Sequence, residues 1–106
     1  MAGVDQPTEL SISVEGPPAA PVVVLRGELD LTNASVLQTA LRPVVETGPQ
    51  SVTFDLSGLD FMDSSGIAVL LRTAAEVGRV SATGAPNIVR RAIEAAGLSQ
   101  VIDLQP

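Results

Sequence analysis

Cysteine, histidine, lysine, tryptophan and tyrosine are all missing from this chain. Without thiols or imidazoles it can form no disulfide, none of the usual zinc ligand sets and no histidine general base. Without lysine it has neither a phosphate-loop lysine nor a Schiff-base amine. Phe54 and Phe61 are its whole aromatic content, so it has no surface for stacking bases. Positive charge is scarce too. Six arginines (Arg26, Arg42, Arg72, Arg79, Arg90 and Arg91) face twelve acidic residues, for a net charge of −6, and only the last two adjoin. A nucleic-acid partner is not expected. No stretch approaches the roughly 18 apolar residues of a membrane helix, and the opening MAGVDQPTEL has neither the basic nor the apolar part of a secretion signal. These absences predict a cytoplasmic, soluble protein with no membrane association, no cofactor, no metal and no enzymatic activity of its own.

What is present is aliphatic. At 106 residues and 45% hydrophobic content, the chain is the size of one small domain with a core of Val, Leu, Ile and Ala. Residues 1–7 show no periodicity and read as a flexible tail before a domain over 8–106. ELSISV, residues 9–14, alternates Leu10, Ile12 and Val14 with polar residues, a half-buried strand. The three prolines of EGPPAAP force a loop. VVVLRG, residues 22–27, is a continuous apolar run of the kind found in an interior strand covered on both faces.

Beyond it the period changes. Val36, Leu37, Ala40, Leu41, Val44 and Val45 make a helical stripe, with Asp30 or Thr32 available as its cap. Pro43 predicts a kink or an early end. SVTFDL, residues 51–56, is the next strand, followed by a loop SGLDFMD. A second helix carries Ile67, Leu70, Leu71, Ala74 and Val77 and stops at Gly78. RVSATG is a short strand, Pro86 opens a third helix with Ile88, Val89, Ala92, Ile93 and Ala96, and VIDL is the last strand. The fold class is therefore α/β: a mainly parallel mixed sheet with an N-terminal hairpin and crossover helices, in the order ββαβαβαβ. Such sheets place their sites in loops at the carboxyl ends of strands. Two segments lie there, GELD at 27–30 and the DSSG of LDFMDSSGIAVLL.

DSSG has a plain reading: Asp63 or Ser64 caps the helix by accepting from backbone N–H groups that the first turn leaves unpaired. It holds more polar groups than one cap needs, however, and the apolar pair Phe61 and Met62 just before it reads as exposed or half-exposed. The second reading is a phosphorylation switch. A phosphoserine at a helix N-terminus can meet backbone N–H groups and the positive end of the dipole without unfolding the helix. It adds about −1.5 to −2 of charge beside Asp60 and Asp63, which an acidic partner surface would feel as repulsion. GELD likewise reads either as a turn with a cap or as part of a contact face. Arg90 and Arg91 read as a solvated helix face, and Arg72 is spaced to pair with Glu76.

VVLRGELDLTNASVL, VTFDLSGLDFMDSSGIAVLL and GAPNIVRRAIEAAGLSQVIDL together resemble a STAS domain, of the kind found in bacterial anti-sigma factor antagonists. The resemblance runs from about residue 8 to residue 104, and its most specific part is Asp63, Ser64, Ser65, Gly66, the family's D-S-[ST]-G. It implies that Ser64 is a phosphoacceptor and that the unphosphorylated protein binds an anti-sigma factor, itself a serine kinase, releasing the sigma factor. Phosphorylation then ends that binding and a PP2C-type phosphatase resets it. The implied partner face comprises Glu28 and Asp30 of the GELD loop together with Asp60, Phe61, Met62, Asp63, Ser64, Ser65 and Gly66. Members commonly carry a further helix after the last strand, whereas this sequence stops at Pro106, so contacts from that helix are not assumed. Nothing demands more than a monomer. A rival within the same resemblance is an accessory subunit that docks on an ABC transport ATPase; an intact DSSG favours the first reading, since a pure docking module has no need of a phosphorylatable hydroxyl.

Overall fold

Five strands form one sheet in the order in which they occur in the chain, β1-β2-β3-β4-β5. They are β1 Leu10–Glu15, β2 Val22–Leu29, β3 Val52–Met62, β4 Val80–Thr83 and β5 Ile102–Gln105. The helices are α1 Ala34–Glu46, α2 Ser64–Val77 and α3 Asn87–Ala95, with a 3-10 turn over Leu98–Gln100. The structure is a computed structural model and describes residues 9–106. The tail expected over residues 1–7 lies outside the described residues. β1 pairs antiparallel with β2, and every later pairing is parallel. The predicted ββαβαβαβ order is the observed one.

Because consecutive parallel strands are also neighbours, right-handed crossovers carry every helix to the same side of the sheet. The core records this. Val23, Leu25 and Leu29 of β2 and Val52, Phe54 and Leu56 of β3 share one cluster with Leu37, Leu41, Val69, Leu70, Val89 and Ile93 from the helices. The opposite face carries Ser11, Ser13, Arg26, Thr53, Asp55, Ser81 and Thr83, set by the strand registers. β2 was expected to be covered on both faces, and this is corrected: helices cover one face only. Val24, on the other face, is buried between its register partners Ser13 and Asp55 and stands outside the core cluster.

Three helical expectations also change. α1 runs through Pro43 to Glu46, so the early end does not occur; burial of Leu37 and Leu41 outweighs the one backbone hydrogen bond that proline forgoes. Asn33, rather than Asp30 or Thr32, occupies its N-cap. On α2, Leu71 is 47% exposed while Val69 and Thr73 are buried, and on α3 Ile88 is exposed beside the buried Val89 and Ile93. On α2 the buried face, Gly66, Val69, Leu70 and Thr73, is rotated from the expected stripe, and on α3 it is narrower than the apolar one.

Candidate functional site

The longest strand positions the site. β2 has eight residues and β3 eleven, and their pairing offset grows along the way: Val24 faces Asp55, Arg26 faces Gly58, Gly27 faces Leu59 and Glu28 faces Phe61. Two residues of β3 are therefore extra, absorbed as bulges. SGLDFMD is thus not a loop, and GELD is not a turn: strand pairing continues to Leu29 and Met62, which lie opposite each other. The second bulge falls at Asp60, between Leu59 and Phe61. It resets the alternation, so Leu59 and Met62, three apart, both point into the core, while Asp60 and Phe61 are exposed. Met62, expected exposed or half-exposed, is instead 5% exposed and packs in the core. Phe61 is 40% exposed and sits beside Glu28 in register.

With both strands ending level, the starts of α1 and α2 come together. Only Asp63 separates β3 from α2, and its backbone N–H donates to the Leu29 carbonyl at 3.2 Å. Its carboxylate is the helix cap, with Oδ1 accepting from the N–H of Ser65 at 2.8 Å and of Gly66 at 3.4 Å. The other oxygen, Oδ2, accepts from the Leu31 N–H at 3.2 Å, across 32 residues of sequence. One carboxylate thus serves two chain segments. The amides that a phosphate would meet at this terminus are in part already occupied.

The segment before α1 is tied to itself. Asp30 Oδ1 accepts from the Thr32 N–H at 2.9 Å and the Thr32 hydroxyl at 2.6 Å. The buried Asn33 side chain accepts from the Asp30 N–H at 2.9 Å and donates to the Glu28 carbonyl at 2.8 Å. Between them Leu31 projects outward at 79% exposure. Leu31 and Asn33 were not foreseen from the sequence. The available signal was a leucine lying outside the helical stripe, between polar residues that satisfy one another.

The two serines differ. Ser64 is the first residue of α2 and exposed; Ser65, one position on, is half-buried with its N–H bound to Asp63. Among the described residues, nothing hydrogen-bonds the Ser64 hydroxyl. Gly66 is buried. A β-carbon there would lie 2.7 Å from Cγ and Cδ2 of Leu29 and 2.8 Å from Cγ of Met62. Gly66 thus lets α2 start close against β2. The remaining predicted residues, Glu28, Asp30, Asp60, Phe61, Asp63, Ser64 and Ser65, gather at this end of the sheet. This end of the sheet, where Ser64 opens α2, carries the acidic residues Asp30, Asp60 and Asp63 and the exposed apolar side chains Leu31 and Phe61. Among the described residues no group of three or more acidic, histidine or cysteine side chains is placed to hold a metal ion, and no helix is long and apolar enough to cross a membrane. The groove between α1 and α2, lined by residues such as Leu41, Arg42, Val69 and Thr73, includes none of the site residues.

Comparison with known proteins agrees with this geometry. The family model described as "Mlab, STAS domain" matches residues 12–106. The anti-sigma-F factor antagonist RsfB of Mycobacterium tuberculosis is 30% identical over 103 residues, covering 92% of this chain and 83% of RsfB. An anti-sigma factor antagonist from Mycobacterium paratuberculosis superposes with a TM-score of 0.85 at 29% identity, over 92% of this chain and 86% of that one. The antagonist SpoIIAA in its unphosphorylated form shares the fold, with a TM-score of 0.78 at 22% identity over 89% of this chain and 87% of its own.

Proposed function

The chain belongs to the STAS-domain family, and on that premise we propose that it is an anti-sigma factor antagonist: a regulatory binding protein, not an enzyme, switched by phosphorylation of Ser64. Unphosphorylated, it binds an anti-sigma factor through the end of the sheet that carries Leu31, Phe61 and Ser64, and the sigma factor is released. The anti-sigma factor is also the kinase. The Ser64 oxygen bonds to the γ-phosphorus of ATP as the β–γ bridging bond breaks, ADP departs with the electron pair, and a base of the kinase takes the hydroxyl proton. A PP2C-type phosphatase hydrolyses the ester and restores binding.

The observation that carries this reading is the contrast within DSSG. Asp63 alone satisfies the capping role, which leaves the Ser64 hydroxyl exposed and without structural duty. That weighs against the cap as the whole account of the motif. Two relatives named as anti-sigma factor antagonists, near 30% identity and matched over most of their length, support the same partner class.

The test is capture of partners on the immobilised protein. Recovery of an ATP-binding anti-sigma factor, lost when Ser64→Asp replaces the wild type, supports the proposal. Recovery of an ABC ATPase irrespective of the residue at 64 supports the docking-subunit reading instead.

A further inference from the structure

We propose that Asp63 is a positioning residue that latches the Leu31 segment to the start of α2, and that a phosphate on Ser64 opens the latch. This deepens the switch described above and rests on Ser64 being the phosphoacceptor. The cap needs only one oxygen of Asp63, since Oδ1 takes both helical N–H groups. Oδ2 is spent on Leu31, which reaches it from the other chain segment. Leu31 has no packing to fix it, being 79% exposed, so its orientation depends on what its backbone binds. The bond to a carboxylate is charge-assisted.

A phosphate on Ser64 changes the terms at this carboxylate. Ser64 is the residue adjoining Asp63, and its phosphate brings about −1.5 to −2 of charge together with three acceptor oxygens. Those oxygens compete for the N–H groups of Ser65 and Gly66, which Asp63 Oδ1 holds at 2.8 and 3.4 Å. Two anions cannot share the same short set of donors without cost, and the weaker, monoanionic Asp63 turns away. Leu31 N–H then loses its acceptor. The phosphate thus acts twice, placing charge on the contact face and loosening the exposed leucine of that face.

The test reads the Leu31 amide in the free protein by NMR water exchange. Asp63→Asn keeps one carbonyl oxygen for the cap but puts an amide donor where Leu31 needs an acceptor. Asp63→Ser keeps a capping hydroxyl too short to span to Leu31. In both, Leu31 exchange should rise about tenfold or more, as expected for loss of one charge-assisted bond worth about 1.4 kcal/mol, while core amides such as Phe54, which exchange only through global unfolding, lose no more protection than that same factor. Protein carrying phosphoserine installed at position 64 by genetic-code expansion should show the same rise. Unchanged Leu31 exchange in both Asp63 variants, or in the phosphoserine form, overturns the latch. Because neither partner nor kinase is present, that failure would be distinct from a failure of the phosphoacceptor assignment, which peptide mapping decides.

Discussion

Replacing Gly66 with alanine should destabilise the protein, although glycine inside a helix is ordinarily the worse residue. At an unobstructed helical site the change gains up to about 1 kcal/mol. Here the added β-carbon arrives 2.7 Å from two carbons of Leu29 and 2.8 Å from one of Met62, well inside the roughly 3.5 Å at which carbon atoms pack comfortably. Neither neighbour has open space to retreat into, for Leu29 is fully buried and Met62 is 5% exposed. Overpacking of this kind costs about 1–3 kcal/mol, so the net loss is up to about 2 kcal/mol for alanine and more for valine. In a domain of this size that lowers the thermal midpoint by about 4–8 °C per kcal/mol. The displacement also reaches the site, because the Leu29 carbonyl accepts from the Asp63 N–H. Thermal denaturation of wild type, Gly66→Ala and Gly66→Val provides the check. A midpoint for Gly66→Ala at or above wild type would refute the reasoning and show that α2 does not start in close contact with β2.

Asn33→Ala should lower stability by about 1–3 kcal/mol, since it removes a buried side chain that accepts from the Asp30 N–H and donates to the Glu28 carbonyl; urea unfolding measures it, and a loss under 0.5 kcal/mol would contradict the bonds described. Phe61→Ala should leave the thermal midpoint within a few degrees but weaken binding of the anti-sigma partner about tenfold or more, as calorimetry would show, because the ring is 40% exposed and central to the proposed face. Asp55 is held below the usual carboxylate range by the Ser57 backbone N–H and hydroxyl, which outweigh a small desolvation cost, with Arg26 assisting. A depressed folded-state value means that the carboxylate stabilises the fold above its unfolded value of about 4 and that this contribution disappears as pH falls through the lower folded value. Ser57→Ala should therefore flatten the decline of thermal midpoint below about pH 4, and an unchanged acid profile would count against it.

Much of the fold was legible from periodicity. Val52, Phe54 and Leu56 announced a strand, the prolines of EGPPAAP a loop, and Gly78, with its φ of 93°, the end of α2. What was not legible depends on pairing between distant segments. Ser57 and Gly58 carry turn chemistry, yet β3 continues through them because β2 offers a partner and the bulges absorb two surplus residues. The burial of Met62 follows from the second bulge, a register effect that local alternation cannot report. Within the site, the cap role of Asp63 could be read from DSSG alone. Its second bond, to Leu31, could not, since it exists only because β2 and β3 end side by side.

The central claim, that Ser64 is the residue on which the switch turns, is tested most directly by locating the phosphate. The protein is incubated with its captured anti-sigma factor, ATP and magnesium, and the modified site is mapped by peptide mass spectrometry for wild type and Ser64→Ala. A single phosphate on Ser64 in the wild type, and none in Ser64→Ala, is the predicted result. Phosphate on Ser65, or on Ser64→Ala at any position to the wild-type extent, would contradict it.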